Sequence, residues 1–184
     1  MKKLIVTEFV TLDGVMEAPG GEPTHAHTGW VHPFMGPDAG EFKSQEVFEA
    51  GCQLVGRVTY ESFAGAWPTY EGPMAVRMNA MPKYVVSTTM ATAEWTNTQV
   101  LPGLDAVRAL KADDGGDILV PGSHTLVHAL LHEGLVDELR LMIFPVTIGR
   151  GLKVFPETDA KTSYELTDTR AFDNGVVLNT YAVR

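Results

Sequence analysis

Two segments of the chain set a glycine between a short apolar run and a stretch rich in hydroxyl side chains. The first is Leu54-Val55-Gly56-Arg57-Val58-Thr59-Tyr60-Glu61; the second is Ile118-Leu119-Val120-Pro121-Gly122-Ser123-His124-Thr125-Leu126. Each reads as a buried strand, a glycine turn and the start of a helix. The first turn of a helix has backbone N–H groups without an intrahelical partner and carries the positive end of the helix dipole. Such a junction is an anion site, and two on one sheet edge suit the pyrophosphate of a dinucleotide. Arg57 adds a fixed charge whose forked donors match phosphate oxygens. A plainer reading is equally open from spacing: Gly56 and Gly122 as turn residues, with Thr59 and Ser123 as helix caps.

Other chemistries find less support. His25, His27 and His32 lie in a long irregular stretch, but no carboxylate or cysteine is spaced with them as a ligand set, so no metal is expected. His124, His128 and His132 recur every fourth residue and read as a solvated helix face, with His124 alone near enough to a helix start to touch a phosphate. Asp38, Glu41, Glu46 and Glu49 are the acids of the first helix. Glu46 and Glu49 are expected to face water, and Asp38 to favour the helix start. There is no G-x-G-x-x-G, no G-x-x-x-x-G-K-[ST] and no G-x-S-x-G. The single cysteine, Cys52, excludes an intrachain disulfide and a cysteine zinc site.

The formal charge of −9 argues against a nucleic-acid partner, because neutralising phosphates takes a basic face. No apolar stretch approaches the ~18 residues of a membrane helix. Lys2 and Lys3 precede a short apolar run, but Glu8 interrupts it, so a signal peptide is rejected and a cytoplasmic location expected. With 184 residues, about 70% of the extended chain's surface can be buried, enough for a core without staples.

The elements that must position these residues alternate between strand and helix. Strands are predicted at 4–10, 52–55, 83–88, 117–120 and 137–146. Helices are predicted at 38–51, from Gly56 through Phe63, at 104–112 and at 124–133. Segments 162–172 and 176–184 form a closing hairpin around Asp173-Asn174-Gly175. Residues 65–82 read as loop, and so does 17–37, where Trp30 and Phe34 either line a substrate or pin the loop down. The pattern implies one α/β domain over 1–184, with a mixed, mostly parallel central sheet flanked by helices and a C-terminal antiparallel hairpin.

The ordered set Gly56-Arg57-Val58-Thr59-Tyr60-Glu61, Val85-Val86-Ser87, Gly122-Ser123-His124-Thr125-Leu126 and Val136-Asp137-Glu138-Leu139-Arg140-Leu141 resembles the dihydrofolate reductase-like family. Thr11-Leu12-Asp13-Gly14 is similar to the S-L-D-G of its riboflavin-pathway reductase branch, the deaminase-reductase C-terminal domain. The resemblance covers nearly the whole chain. It implies NADPH as cofactor, a homodimer, and hydride transfer to a C=N or C=O group of a small substrate. By resemblance Gly56, Arg57 and Thr59 meet phosphates, Ser87 and Thr88 lie near the 2′-phosphate, and Gly122, Ser123, His124, Thr125 and Leu126 frame the pyrophosphate and nicotinamide. Trp30, Phe34 and Phe42 fall on the substrate side. Asp38, four residues before Phe42, corresponds to the acid of the folate enzymes, with Glu41 its rival.

The closest named reaction is reduction of 5-amino-6-(5-phosphoribosylamino)uracil; dihydrofolate reduction comes second, and a non-catalytic nucleotide-binding module of the same fold is the alternative. Three departures bear on this. The arginine that precedes the strand at Lys83 in folate reductases is missing, which argues against dihydrofolate. Ser123 replaces the second glycine of the family's Gly-Gly, which is cis in the folate enzymes. No deaminase H-x-E or P-C-x-x-C pattern occurs.

Overall fold

The computed structural model describes residues 1–159 and 161–184. Its elements run β1 (Leu4–Thr11), α1 (Pro37–Glu49), β2 (Cys52–Gly56), α2 (Arg57–Ala66), α3 (Pro73–Ala80), β3 (Lys83–Val86), β4 (Thr98–Leu101), α4 (Leu104–Ala112), β5 (Ile118–Val120), α5 (His124–His132), β6 (Glu138–Phe144), β7 (Tyr164–Ala171) and β8 (Val177–Val183). The strands form one sheet in the order β4-β3-β2-β5-β1-β6-β8-β7. Strands β1 to β6 pair in parallel, and β8 pairs antiparallel with both β6 and β7. The expected α/β architecture and closing hairpin are both present.

The central strands are apolar on both faces, as parallel strands covered by helices must be. On one face Leu4, Val6 and Val10 of β1 join Leu54, Val120 and Leu139, packed against Val107 and Leu110 of α4 and Leu126, Val127 and Leu130 of α5. On the other, Ile5, Val55, Val85 and Leu119 meet Val47 of α1, Tyr60 of α2 and Met78 of α3. A third cluster gathers Trp30, Val31, Phe34 and Phe42 onto Phe9, Met142, Phe144 and Phe172.

Three expectations need correction. Within 65–82, predicted as loop, residues Pro73–Ala80 are helical, with Pro73 at the start, where its missing N–H costs nothing. Arg77 of this helix donates to the carbonyls of Val47 and Ala50 at 3.2 and 2.5 Å, so tertiary contacts hold eight residues whose own pattern is weak. The strand predicted at 83–88 ends at Val86, and a further edge strand, Thr98–Leu101, pairs beside it. Glu46 is not solvated: it is 2% exposed, because α1 turns it onto the sheet. Its carboxylate meets Lys43 Nζ at 2.6 Å, Arg140 Nη1 at 3.1 Å and Thr7 Oγ1 at 3.0 Å.

No helix among the described residues is long and apolar enough to cross a membrane. The long loop is pinned by its aromatics. Trp30 is buried, donates from Nε1 to Glu17 O at 2.8 Å and meets Phe144 edge to face at 5.4 Å. Asn174 Nδ2 of the β7–β8 turn donates to Phe34 O. Asp13 of Thr11-Leu12-Asp13-Gly14 accepts from Thr11 Oγ1 at 2.5 Å and Gly149 N at 2.7 Å, which holds its carboxyl below the usual range and ties the end of β1 to residues 148–149.

Candidate cofactor and active site

Strand β5 inserts between β1 and β2, so the carboxyl ends of β2 and β5 lie side by side where the winding of the sheet reverses. Ligands of open α/β sheets bind in that crevice. The two glycine junctions are therefore neighbours in space. Gly56 N donates to Gly122 O at 3.4 Å. A side chain on Gly56 would overlap Ser123 Oγ, and one on Gly122 would meet Thr59 Oγ1 at 3.0 Å and Glu8 Oε1 at 3.9 Å. Gly122 has φ +108°, a conformation glycine adopts freely, and the Gly122–Ser123 peptide is cis.

Helices α2 and α5 begin at this seam. The residues before them, Gly56 and Ser123, are extended, and neither supplies a side-chain cap. Thr59 lies inside α2 rather than at its cap position. The plain capping explanation is thus not what the chain does: α2 and α5 both start at this seam with no side-chain cap on their first turns. Arg57 is half exposed at the start of α2 and pairs with Glu61 at 3.1 Å. Because Gly56 pairs with Val86, Ser87 and Thr88 follow on the same edge. Ser87 donates its N–H to Leu101 O at 3.0 Å, and its Oγ accepts from Met90 N at 3.1 Å, leaving Thr88 exposed. Thr125 is exposed, whereas Leu126 is buried against Gly56 and acts as packing under the junction.

The helix α5 histidines are less solvated than their spacing suggests. His124 and His128 have ring centres 4.0 Å apart with planes tilted by 54°, and His128 Nε2 lies 2.9 Å from Lys153 O. Partial burial, then the neighbouring His128, lowers the His124 pKa. His132 is exposed, as expected. Of the loop histidines, His25 is occupied locally: its Nε2 lies 2.9 Å from Arg150 O, and its Nδ1 accepts from His27 N. Among the described residues no three His, Cys, Asp or Glu side chains converge on a point.

Asp38 and Glu41 are both exposed in the first turns of α1, with no hydrogen bond or ion pair among the described residues. Phe42 is half-buried on the third cluster, beside a groove of about 230 Å³ also lined by Glu46, Glu49, Glu138, Arg140 and Asp168. Four acids against one arginine make that groove a poor place for phosphate, in contrast to the seam between α2 and α5.

Sequence reasoning passed over the most perturbed acid. Glu8 is 6% exposed in β1; burial, opposed in part by Lys43, pushes its carboxyl up to about 8. The available signal was an acid interrupting an apolar run that had to become a central strand. Lys83 is another buried charge. Its Nζ donates to the carbonyls of Met78, Asn79 and Met81 at 2.8–3.0 Å and lies 4.3 Å from the Trp95 ring centre. So committed, it is not free to replace the missing folate-tail arginine.

The strand order and the paired junctions define a dihydrofolate reductase-like domain. Residues 2–178 match the model of the RibD C-terminal domain, and the chain belongs to that family. YyaP, an uncharacterized protein of Bacillus subtilis (strain 168), is 30% identical over 98% of this chain and 94% of its own length. A putative riboflavin biosynthesis protein from Shewanella sp. PV-4 superposes with a TM-score of 0.76 at 20% identity, covering 99% of both chains. Dihydrofolate reductase from Enterococcus faecalis, in complex with NADP(H), superposes with a TM-score of 0.62 at 17% identity over 99% of this chain and 96% of its own.

Proposed function

We propose that the chain is an NADPH-dependent reductase that delivers hydride to a small heterocyclic or ribosylamino-pyrimidine substrate, of the type of 5-amino-6-(5-phosphoribosylamino)uracil. The observation that carries this reading is the abutment of two uncapped helix N-termini, α2 and α5, at the point where the sheet reverses. Gly56 and Gly122 let two backbones and a ligand approach closely, as side chains there would not. In this reading the first-turn N–H groups near Gly56 and Thr59 hold phosphate, Gly122, Ser123, His124, Thr125 and Leu126 frame the pyrophosphate and the nicotinamide, and Arg57, Ser87 and Thr88 take the 2′-phosphate. The bound nicotinamide supplies the hydride; the chain's part is to orient the two reactants and exclude water. Asp38 and Glu41 stand at the open end of α1 to anchor polar substrate groups, with Trp30, Phe34 and Phe42 shaping that side.

The family and the fold shared with the NADP(H)-bound Enterococcus faecalis enzyme support this reading. Dihydrofolate is the lesser candidate, since Lys83 is buried and spent on carbonyls. A homodimer in the cytoplasm fits the exposed edge strand β7, where Leu166 is 53% exposed, and the lone buried thiol of Cys52. The test is thermal unfolding with NADPH, NADH or no ligand. A ligand at ~100 times its dissociation constant adds ~2.7 kcal/mol, which at this size raises the midpoint by roughly 5–10 °C. A rise with NADPH and little with NADH is expected; no rise with either removes the cofactor and leaves a module for another ligand.

A further inference from the structure

Strand β5 pairs with β1 only as far as Val6, which lies opposite Val120. Two residues further along, Glu8 comes level with Gly122, where β5 has already given way to the junction. By the alternation of the strand its side chain leaves on the face of Val6 and Val10, the face covered by α5. A Cβ placed on Gly122 would lie 3.9 Å from Glu8 Oε1 and 3.0 Å from Thr59 Oγ1, so the carboxyl sits next to the junction. The residue is 94% buried by its 6% exposure, yet Oε1 has no hydrogen-bond partner among the described residues. A buried polar atom without a partner destabilises the fold, and its position beside the seam supplies a reason to keep it.

We propose that Glu8 is the acid of this seam: its buried carboxyl, level with Gly122, donates a proton to the ligand held between α2 and α5.

The surrounding charges agree with a protonated group. β5 offers only Ile118, Leu119 and Val120, and the register partner on β6 is Leu141. Lys43 of α1 is the nearby cation, but it is committed to Glu46 at 2.6 Å and to Thr7 at 2.7 Å. Arg140 of β6 is committed to Glu46 and Glu138. Glu46 itself repels a second negative charge at Glu8. Arg57 of α2 is paired with Glu61, and the α5 histidines, His124 and His128, pack against each other at a tilt near Glu17. Burial then dominates and lifts the carboxyl to about 8.

Resting on the reductase reading, the group has a defined use. Reduction of C=N or C=O consumes one hydride, which the dihydronicotinamide provides when bound, and one proton. The carbon gains C–H, the π pair moves to nitrogen or oxygen, and that atom takes the proton from the Glu8 carboxyl. Glu8 is left as carboxylate and regains a proton from solvent.

The experiment is NADPH affinity by titration calorimetry from pH 6.5 to 9.5, for the wild type and for Glu8→Gln. If NADPH binds the protonated form, wild-type affinity falls about tenfold per pH unit above about 8, while the variant, which cannot ionise, stays flat. An equal fall in both proteins, or a flat wild type, overturns the proposal. If NADPH binds at no pH, the reductase reading fails separately. Glu8 is then judged by carboxyl-carbon NMR of the ligand-free wild type. A midpoint near 8 upholds it as the cleft's acid, and one in the ordinary carboxylate range overturns it. That titration needs no variant, so a poorly folding Gln substitution does not rescue the idea.

Discussion

Replacing Glu8 by Gln should change how the stability of the chain depends on pH. In the folded protein the Glu8 carboxyl is raised to about 8, against 4.5 for the unperturbed group. Between those values the folded state holds a proton that the unfolded state has released. Stability therefore falls as pH rises through this window, by about 1.4 kcal/mol per pH unit, and Glu8 contributes no slope below or above it. From pH 5.5 to 7.5 the loss from this one group is about 3 kcal/mol, a large part of the ~5–15 kcal/mol that holds a domain together. Gln is nearly isosteric with the protonated acid and does not titrate. The variant's stability relative to wild type should thus grow by about 3 kcal/mol over the same range. The absolute offset depends on how the amide seats beside Gly122, but the slope does not. Urea denaturation at pH 5.5, 6.5 and 7.5, with m unchanged between the proteins, measures it. A difference that stays constant across the three pH values would falsify the claim that Glu8 is protonated in the fold.

Two further substitutions test the frame around the cleft. Arg57→Ala should weaken NADPH binding about 10–100-fold while changing NADH far less, since a charge-assisted contact to phosphate is lost; equal effects on both would move the 2′-phosphate elsewhere. Lys83→Met removes the donor to three carbonyls at the end of α3 and should cost about 2–4 kcal/mol in urea denaturation, with NADPH affinity unchanged; an unaltered midpoint would mean those carbonyls find other donors.

Much of the architecture is legible in the sequence. The apolar runs at β1, β2, β5 and β6 are long enough in Val, Ile and Leu to declare themselves as strands covered on both sides. The glycine junctions announced the helix starts, and Asp173-Asn174-Gly175 announced the final hairpin. These features are local: they depend on backbone freedom, on period and on what a residue does to its immediate neighbours. Helix α3 was not legible, because eight residues with a weak apolar pattern are held by Arg77 reaching Val47 and Ala50, some thirty positions away.

The site divides along the same line. The types and spacing of residues at Gly56-Arg57-Val58-Thr59 and Gly122-Ser123-His124-Thr125 sufficed to raise two possible anion sites, but not to choose them over two capped turns. That choice came from the sheet order. It sets β5 beside β2, abuts Gly56 with Gly122 and leaves both helix starts without side-chain caps. Burial of the acids was likewise beyond a single sequence. Glu46 and Glu49 are three positions apart on one helix, yet Glu46 is enclosed by Arg140, Lys43 and Thr7 while Glu49 is exposed. Glu8 read only as an interruption in an apolar run. Desolvation and distant charges determine whether a carboxyl keeps its proton. Both depend on which strands and helices close around it, and chain order alone does not contain that information.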